Sequence, residues 1–239
     1  GGLPCDMDEL QLIADEWGVP IIEDAAHAVG AKYKGVNVGS ISDFTMFSFQ
    51  AIKHITTGDG GMLIIKNKDL VDKAERIRWF GIDRKSKQAG IWENDITEVG
   101  YKYQMTDIAA AMGIASLSEF DEQSKLRKEL FETYEVELAN CDRLKVIGGG
   151  FSDREHAAWL FTVLVEDRYT LQQKLRENGI ESNQVHFRND RYSIFNEFTE
   201  GKSFPNMDKL EDNYLVLPLH TKMGKDDVKR VCKIIKVGW

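Results

Sequence analysis

Cysteine is scarce and scattered. Cys5, Cys141 and Cys232 are the only three in 239 residues, and no two stand at metal-ligand or redox spacing. This excludes a disulfide framework and a cysteine-based metal site, and the odd, dispersed set fits a reduced cytoplasmic protein. Lys and Arg form no cluster long enough for a nucleic-acid footprint. The 31 basic and 39 acidic residues leave a formal charge of −8, an acidic surface that favours solubility. No apolar run reaches membrane-spanning length. The first residues, Gly1-Gly2-Leu3-Pro4, have neither the basic region nor the apolar run of a signal peptide. They also lack an initiating Met, so the start reads as a cut point in a longer chain. No repeat or low-complexity segment is present. What remains is an ordinary globular mix, 42% hydrophobic and 29% charged, long enough for a large domain with a smaller lobe.

Periodicity predicts a helix over Asp6 to Trp17, with Asp6 as N-cap, Glu9 at capping-box distance and Gly18 as stop. Its inward face is expected to carry Leu10, Ile13, Ala14 and Trp17. Val19 to Asp24 follows as a short apolar strand of the kind buried on both faces of a parallel sheet. Further strands are expected at Asp43 to Phe49 and Met62 to Ile65, with a tight turn at Gly58-Asp59-Gly60-Gly61 before the latter. Helices are expected at Asp69 to Phe80, with Leu70, Ala74 and Ile77 inward, and at Thr106 to Leu117, rich in Ala and Gly, with helical character continuing through the charged stretch to Leu138. Gly148-Gly149-Gly150 is the best linker or hairpin candidate. Beyond it the pattern restarts: strands at Ala158 to Val165 and Leu215 to Pro218, and helices at Tyr169 to Asn178 and Lys225 to Ile235. The last helix turns Val228, Val231, Cys232 and Ile235 inward. The expected organisation is a large domain over residues 1–125 and a small C-terminal α+β domain, with its linking helix, over 126–239.

Three segments carry candidate chemistry. Asp24-Ala25-Ala26-His27 follows one buried strand, Ser48-Phe49-Gln50-Ala51-Ile52-Lys53 follows a second, and the glycine-rich turn comes next. Ligands of open α/β sheets sit beyond the carboxyl ends of the strands, so Asp24 and Lys53 can face one crevice. Pyridoxal phosphate (PLP) chemistry needs such a set. A lysine amine that can lose its proton forms an imine with the cofactor aldehyde. A carboxylate keeps the pyridine nitrogen protonated so that the ring can accept electrons. A hydroxyl such as that of Ser48, with glycine-rich backbone, holds the phosphate. Singly each signal is weak. An Asp at a strand end is commonly a turn cap, a lone Lys is usually solvated, and a Gly-rich turn can be only a hairpin.

In this order, the residues resemble the DegT/DnrJ/EryC1/StrS family of sugar aminotransferases. The likeness runs through Gly2-Leu3-Pro4-Cys5-Asp6-Met7, Ile22 to Ala28, Ser48 to Lys53 with Gly58 to Met62, Gly100 to Ile108, and Leu217-Pro218-Leu219-His220. It implies an α/β fold of the fold-type I PLP-transferase kind, with a mostly parallel sheet in the large domain. It puts Lys53 at the Schiff-base position as the catalytic residue and Asp24 at the pyridine-nitrogen position. His27 falls beside the ring near its phenolic oxygen, and Ser48 at the phosphate; no metal is implied. The implied reaction moves an amino group from L-glutamate to a nucleotide-linked keto sugar, in amino-sugar, cell-surface polysaccharide or O-antigen synthesis. The implied assembly is a homodimer whose sites draw on both subunits, with neither nucleic acid nor membrane as partner.

The chain departs from that pattern at three places. Lys102 stands where the family usually has an Asn that reaches the neighbouring subunit's phosphate, and Gln104 stands where it has Arg. Lys102 is open between a replacement point charge and a surface role. Val185 to Asp190 replaces a commoner His-containing loop, leaving Arg188 and His186 open between a substrate contact and a solvated loop. Family chains also extend further at the N-terminus, where phosphate donors, a ring-stacking aromatic and strands of the large sheet lie. A polypeptide beginning at Gly1 is therefore expected to have an incomplete pocket, an uncovered sheet and weak or no activity alone. A PLP-dependent sugar dehydratase is the second reading, disfavoured because Lys53 is present. An inactive truncated or regulatory homologue is the third.

Overall fold

A computed structural model describes residues 1–93 and 95–239. The chain forms two compact units, Pro4–Phe120 and Asp121–Trp239, the second also including Gly1–Leu3.

In the first unit, helix α1 spans Met7–Trp17 and ends at Gly18, whose φ of 60° is the left-handed stop the sequence predicts. The Asp6 side chain makes no cap hydrogen bond, so the expected capping box is not formed. The expected inward face is also revised. Met7 and Ala14 are buried, whereas Leu10, Ile13 and Trp17 are exposed. The unit fully covers only the narrow stripe through Met7 and Ala14, two turns apart, and leaves the apolar positions beside it largely open among the described residues.

Strand β1 spans Ile22–Asp24, the two-residue strands β2 and β3 span Lys32–Tyr33 and Val36–Asn37, β4 spans Phe44–Ser48, and β5 spans Gly61–Ile65. β2 and β3 form a small hairpin turned by Lys34 and Gly35, both at positive φ. The main sheet has the order β1-β4-β5, with β1 parallel and β5 antiparallel to β4. β1 lies at the sheet edge, and its Ile22 is 66% exposed, so the expected two-sided burial of this strand does not hold. Helix α2, Val71–Arg78, is preceded by a 3-10 turn over Lys68–Leu70. Of the residues expected to face inward, Ala74 and Ile77 are half-buried, whereas Leu70, in the preceding turn, is exposed. The short helix α3 spans Arg84–Gln88. Helix α4, Asp107–Ser118, starts where Thr106 accepts a hydrogen bond from the Ala109 N–H, a side-chain N-cap.

Helix α5, Phe120–Leu138, leads into the second unit. There β6 (Leu144–Ile147), β7 (Phe161–Val165) and β8 (Tyr214–Leu217) pair antiparallel in that order. The glycine run at 148–150 lies between β6 and β7, inside this unit, and so does not divide the chain. Helices α6 (Arg168–Glu177) and α9 (Lys225–Lys236) complete the unit, with short helices α7 (Asn196–Thr199) and α8 (Pro205–Leu210) between α6 and β8. Val228, Val231, Cys232 and Ile235 of α9 are all buried, as their spacing predicts. They meet Leu130, Tyr134, Phe161, Val163, Leu171 and Leu215 in one core. The buried Tyr134 ring stacks on Phe161, and its hydroxyl donates to the Pro218 carbonyl at 2.9 Å.

Arg127 pins the edge of that core. Its guanidinium donates to the carbonyls of Ala158, Trp159 and Leu219 at 3.3, 3.5 and 3.2 Å. Arg127→Ala leaves three half-sheltered carbonyls without this donor, and we expect it to lower stability by about 2 kcal/mol. Urea denaturation checks the value; an unchanged midpoint would assign the cluster no energetic weight.

Candidate functional site

β1 and β4 run parallel, so their carboxyl ends lie at the same edge of the sheet. Asp24 is the last residue of β1 and Ser48 the last of β4. Asp24 pairs with Met46, and Ser48 stands two residues beyond Met46, so side-chain alternation puts Asp24 and Ser48 on one face. That face is open, with Met46 44% and Leu63 54% exposed in the row that contains Asp24.

The Asp24 carboxylate accepts from the Ala26 N–H through Oδ1 at 3.0 Å, which shapes the turn bearing His27. The turn-cap role and an available second oxygen therefore coexist in one exposed carboxylate. Ser48 Oγ accepts from the Gln50 N–H at 3.3 Å, and the Lys53 N–H donates to the Gln50 carbonyl at 2.9 Å, folding the loop so that Lys53 is half-buried. Burial holds the Lys53 ammonium below the usual lysine pKa, and the negative charge of Asp24 opposes that shift. The charge of residue 24 thus reaches the amine of residue 53.

The loop after β4 is fixed by residues that sequence reasoning did not single out. The Thr57 N–H donates to the Phe49 carbonyl at 2.9 Å and its hydroxyl to the Asp59 carbonyl at 2.9 Å. The Thr56 N–H donates to Ser116 Oγ of α4 at 3.2 Å, tying the lysine loop to that helix. A Cβ on Gly60 would stand 2.3 Å from Thr57 Oγ1, so the turn closes only because that residue is glycine. The Gly-rich turn was the visible signal; the threonines beside it gave none.

Arg188 is not the solvated loop residue that one reading of the sequence expects. Its side chain is 1% exposed and paired with Asp190, Asp208 and Glu211 at 2.6, 2.7 and 2.9 Å. The His186 carbonyl of the same loop accepts from the Tyr214 hydroxyl. Hydrogen bonds from Arg188 to Asp190 and from Arg191 to Glu211 hold both carboxyls below the ordinary range. Depressed carboxylates contribute stability above their unfolded pKa, about 4, and that contribution is lost as pH falls through the folded values. We expect Arg188→Met to lower Tm at pH 7 and to do so much less at pH 3, read by thermal melts at both. An equal loss at both values would contradict the ion-pair account.

Among the described residues no cluster of His, Cys, Asp or Glu could hold a metal ion, and no helix is long and apolar enough to cross a membrane. Lys102 is exposed.

The profile of the DegT/DnrJ/EryC1/StrS aminotransferase family matches residues 1–236. The UDP-4-amino-4,6-dideoxy-N-acetyl-beta-L-altrosamine transaminase of Campylobacter jejuni is 31% identical over 97% of this chain and 61% of its own length. The sugar aminotransferase CalS13 from Micromonospora echinospora superposes with a TM-score of 0.92 at 31% identity, over 100% of this chain and 65% of that one. Spr1654 from Streptococcus pneumoniae, solved in a PLP form, gives 0.86 at 28% identity, over 99% and 65%. The chain spans less than two thirds of each of these proteins. Its fold is that of fold-type I aminotransferases. With the profile matched from the first residue almost to the last, the chain belongs to the DegT/DnrJ/EryC1/StrS aminotransferase family.

Proposed function

We propose that the protein is a PLP-dependent aminotransferase that moves an amino group from L-glutamate to a nucleotide-linked keto sugar, with Lys53 as its catalytic residue. The observation that carries this reading is the half-buried Lys53 amine, its pKa lowered by burial, within the field of the Asp24 carboxylate. The donor set fits the cofactor: a carboxylate for the pyridine nitrogen, an amine for the aldehyde and the Ser48 hydroxyl for the phosphate. PLP, when bound, supplies an electron sink for negative charge at the substrate carbon.

The protein's own groups do the rest. Lys53, with a larger neutral fraction than a solvated lysine, would carry the proton between the substrate carbon and the cofactor within each half-reaction, away from the donor carbon in the first and onto the sugar carbon in the second. Asp24 would keep the ring nitrogen protonated, and His27, half-buried in the turn that Asp24 shapes, would border the ring. A homodimer is part of the proposal. It is supported by α4, where Ile108 and Ile114 are 79% and 71% exposed on a helix apolar on every side, a pattern expected of a helix that becomes covered. Free, dispersed cysteines support the cytoplasm as its compartment.

Asp24→Asn separates this reading from a structural role. The negative charge that raises the Lys53 pKa is lost, so the lysine titrates at lower pH. We expect the acid limb of the kcat profile to move to lower pH and kcat itself to fall about 100-fold or more. A pH profile of wild-type shape with near-normal kcat would sink the assignment.

A further inference from the structure

The half-buried residues of α4 are Ala109, Ala110, Gly113 and Ser116, and helical spacing puts them on one stripe. That stripe meets the loop that carries Lys53. Ser116 Oγ accepts from the Thr56 N–H at 3.2 Å. A Cβ on Gly113 would stand 2.8 Å from Thr57 Cγ2, and one on Gly58 would stand 3.7 Å from Met112 Cε. Glycine inside a helix is less stable than alanine, so Gly113 calls for a packing reason, and the approach of Thr57 supplies it. The loop is closed on itself at the same two threonines. The Thr57 N–H donates to the Phe49 carbonyl at 2.9 Å, and the Gly58 N–H donates to Thr56 Oγ1 at 3.0 Å. At the other end Gln50 is the anchor. Its side-chain carbonyl accepts from the Ile52 N–H at 3.1 Å and its backbone carbonyl from the Lys53 N–H at 2.9 Å. Lys53 therefore stands between two fixed points, Gln50 three residues before it and Thr56 three residues after it. The second of these rests on α4.

We infer that Ser116 and Gly113 of α4 are positioning residues for Lys53: the hydroxyl holds the loop at Thr56, and the absent side chain lets Thr57 close against the helix. The inference rests on the reading of Lys53 as the catalytic residue, and both α4 residues act through the loop rather than on the reacting atoms. Burial is the larger influence on the Lys53 amine and holds it below the usual lysine range, while the Asp24 carboxylate opposes it. A loop released from α4 lets the amine out toward water, so its titration moves to higher pH.

Trace acylation of the protein, without cofactor or amino donor, tests the inference independently of amine transfer. Acetic anhydride labels each lysine in proportion to its neutral fraction, and peptide mass spectrometry follows Lys53 against pH with the exposed lysines as internal reference. Ser116→Ala and Gly113→Ala are each expected to move the half-labelling point of Lys53 to higher pH, with circular dichroism confirming that each variant is folded. In the protein loaded with PLP, kcat is expected to fall about tenfold in each, with the KM for glutamate within about twofold, because a displaced proton carrier slows the chemical step rather than binding. Gly113→Ala gains helix propensity, so weakening of α4 itself does not account for its effect. Ser118→Ala is the control: Ser118 Oγ donates to the Ala115 carbonyl within α4 at 2.7 Å, and its Lys53 profile should match wild type. Movement of the Lys53 profile in a protein that transfers no amine in any form supports the positioning and counts against the aminotransferase reading alone. A wild-type Lys53 profile or an undiminished kcat in either folded variant, or the same shift in Ser118→Ala, would overturn the inference.

Discussion

Replacing Lys53 by Ala is expected to lower amine transfer by at least about 10³-fold, because in the proposed function one side chain would serve as both anchor and proton carrier. A positioned acid–base group contributes about 10² to 10⁴ in rate. The half-buried position of Lys53 is what suits its amine to the task, since a solvated lysine is almost wholly protonated at neutral pH. The measurement is 2-oxoglutarate formation from glutamate. The variant should regain part of the lost rate when a small primary amine is added, because the amine can enter the vacated volume and accept the proton. A merely structural lysine would give neither the size of the loss nor the rescue.

Gly100→Ala is expected to cost more than about 3 kcal/mol, the range reserved for named steric failures. A Cβ there would stand 1.9 Å from the Gly81 nitrogen and 2.4 Å from the Phe80 carbonyl carbon. Both obstacles are backbone, so no flexible side chain can yield. The segment is also tied there by hydrogen bonds from the Phe80 N–H to the Tyr101 carbonyl at 3.0 Å and from the Tyr101 N–H to the Ile77 carbonyl at 2.7 Å. At about 2–4 °C per kcal/mol for a chain of this size, Tm should fall by roughly 6–12 °C. Gly224→Ala is the control. Its φ is −110°, a Cβ there would meet only Asp227 Oδ2 at 4.0 Å, and its Tm should stay near wild type. Equal shifts in the two variants would show that the Gly81–Gly100 approach is not obligatory.

The parts of the fold that were legible in the sequence are those in which local pattern and tertiary burial agree. In α9 the apolar spacing and the buried set coincide, because the helix lies on one continuous core. In α1 they diverge, because Leu10, Ile13 and Trp17 form a face that the described residues do not cover. The hairpin of β2 and β3 went unseen because two residues per strand are too few to show alternation. The burial of Arg188 was not legible because a charge in a loop normally meets water; its acidic partners stand 2, 20 and 23 residues away, a separation no local pattern reports. The Gly81–Gly100 approach is equally invisible from sequence, since each glycine alone reads as a turn. The candidate site was more legible than its framework. Asp24, Ser48 and Lys53 are individually unremarkable, but each follows or ends a strand, and parallel pairing brings those ends together.

Trapping the cofactor where it lands tests the convergence of residues 24 and 53 most directly. The protein is incubated with substoichiometric PLP, reduced with borohydride and mapped by peptide mass spectrometry. The label should concentrate on Lys53, and Asp24→Ala should disperse it. Labelling spread over exposed lysines in the wild-type protein, with Lys53 no more reactive than the others, would contradict a shared pocket.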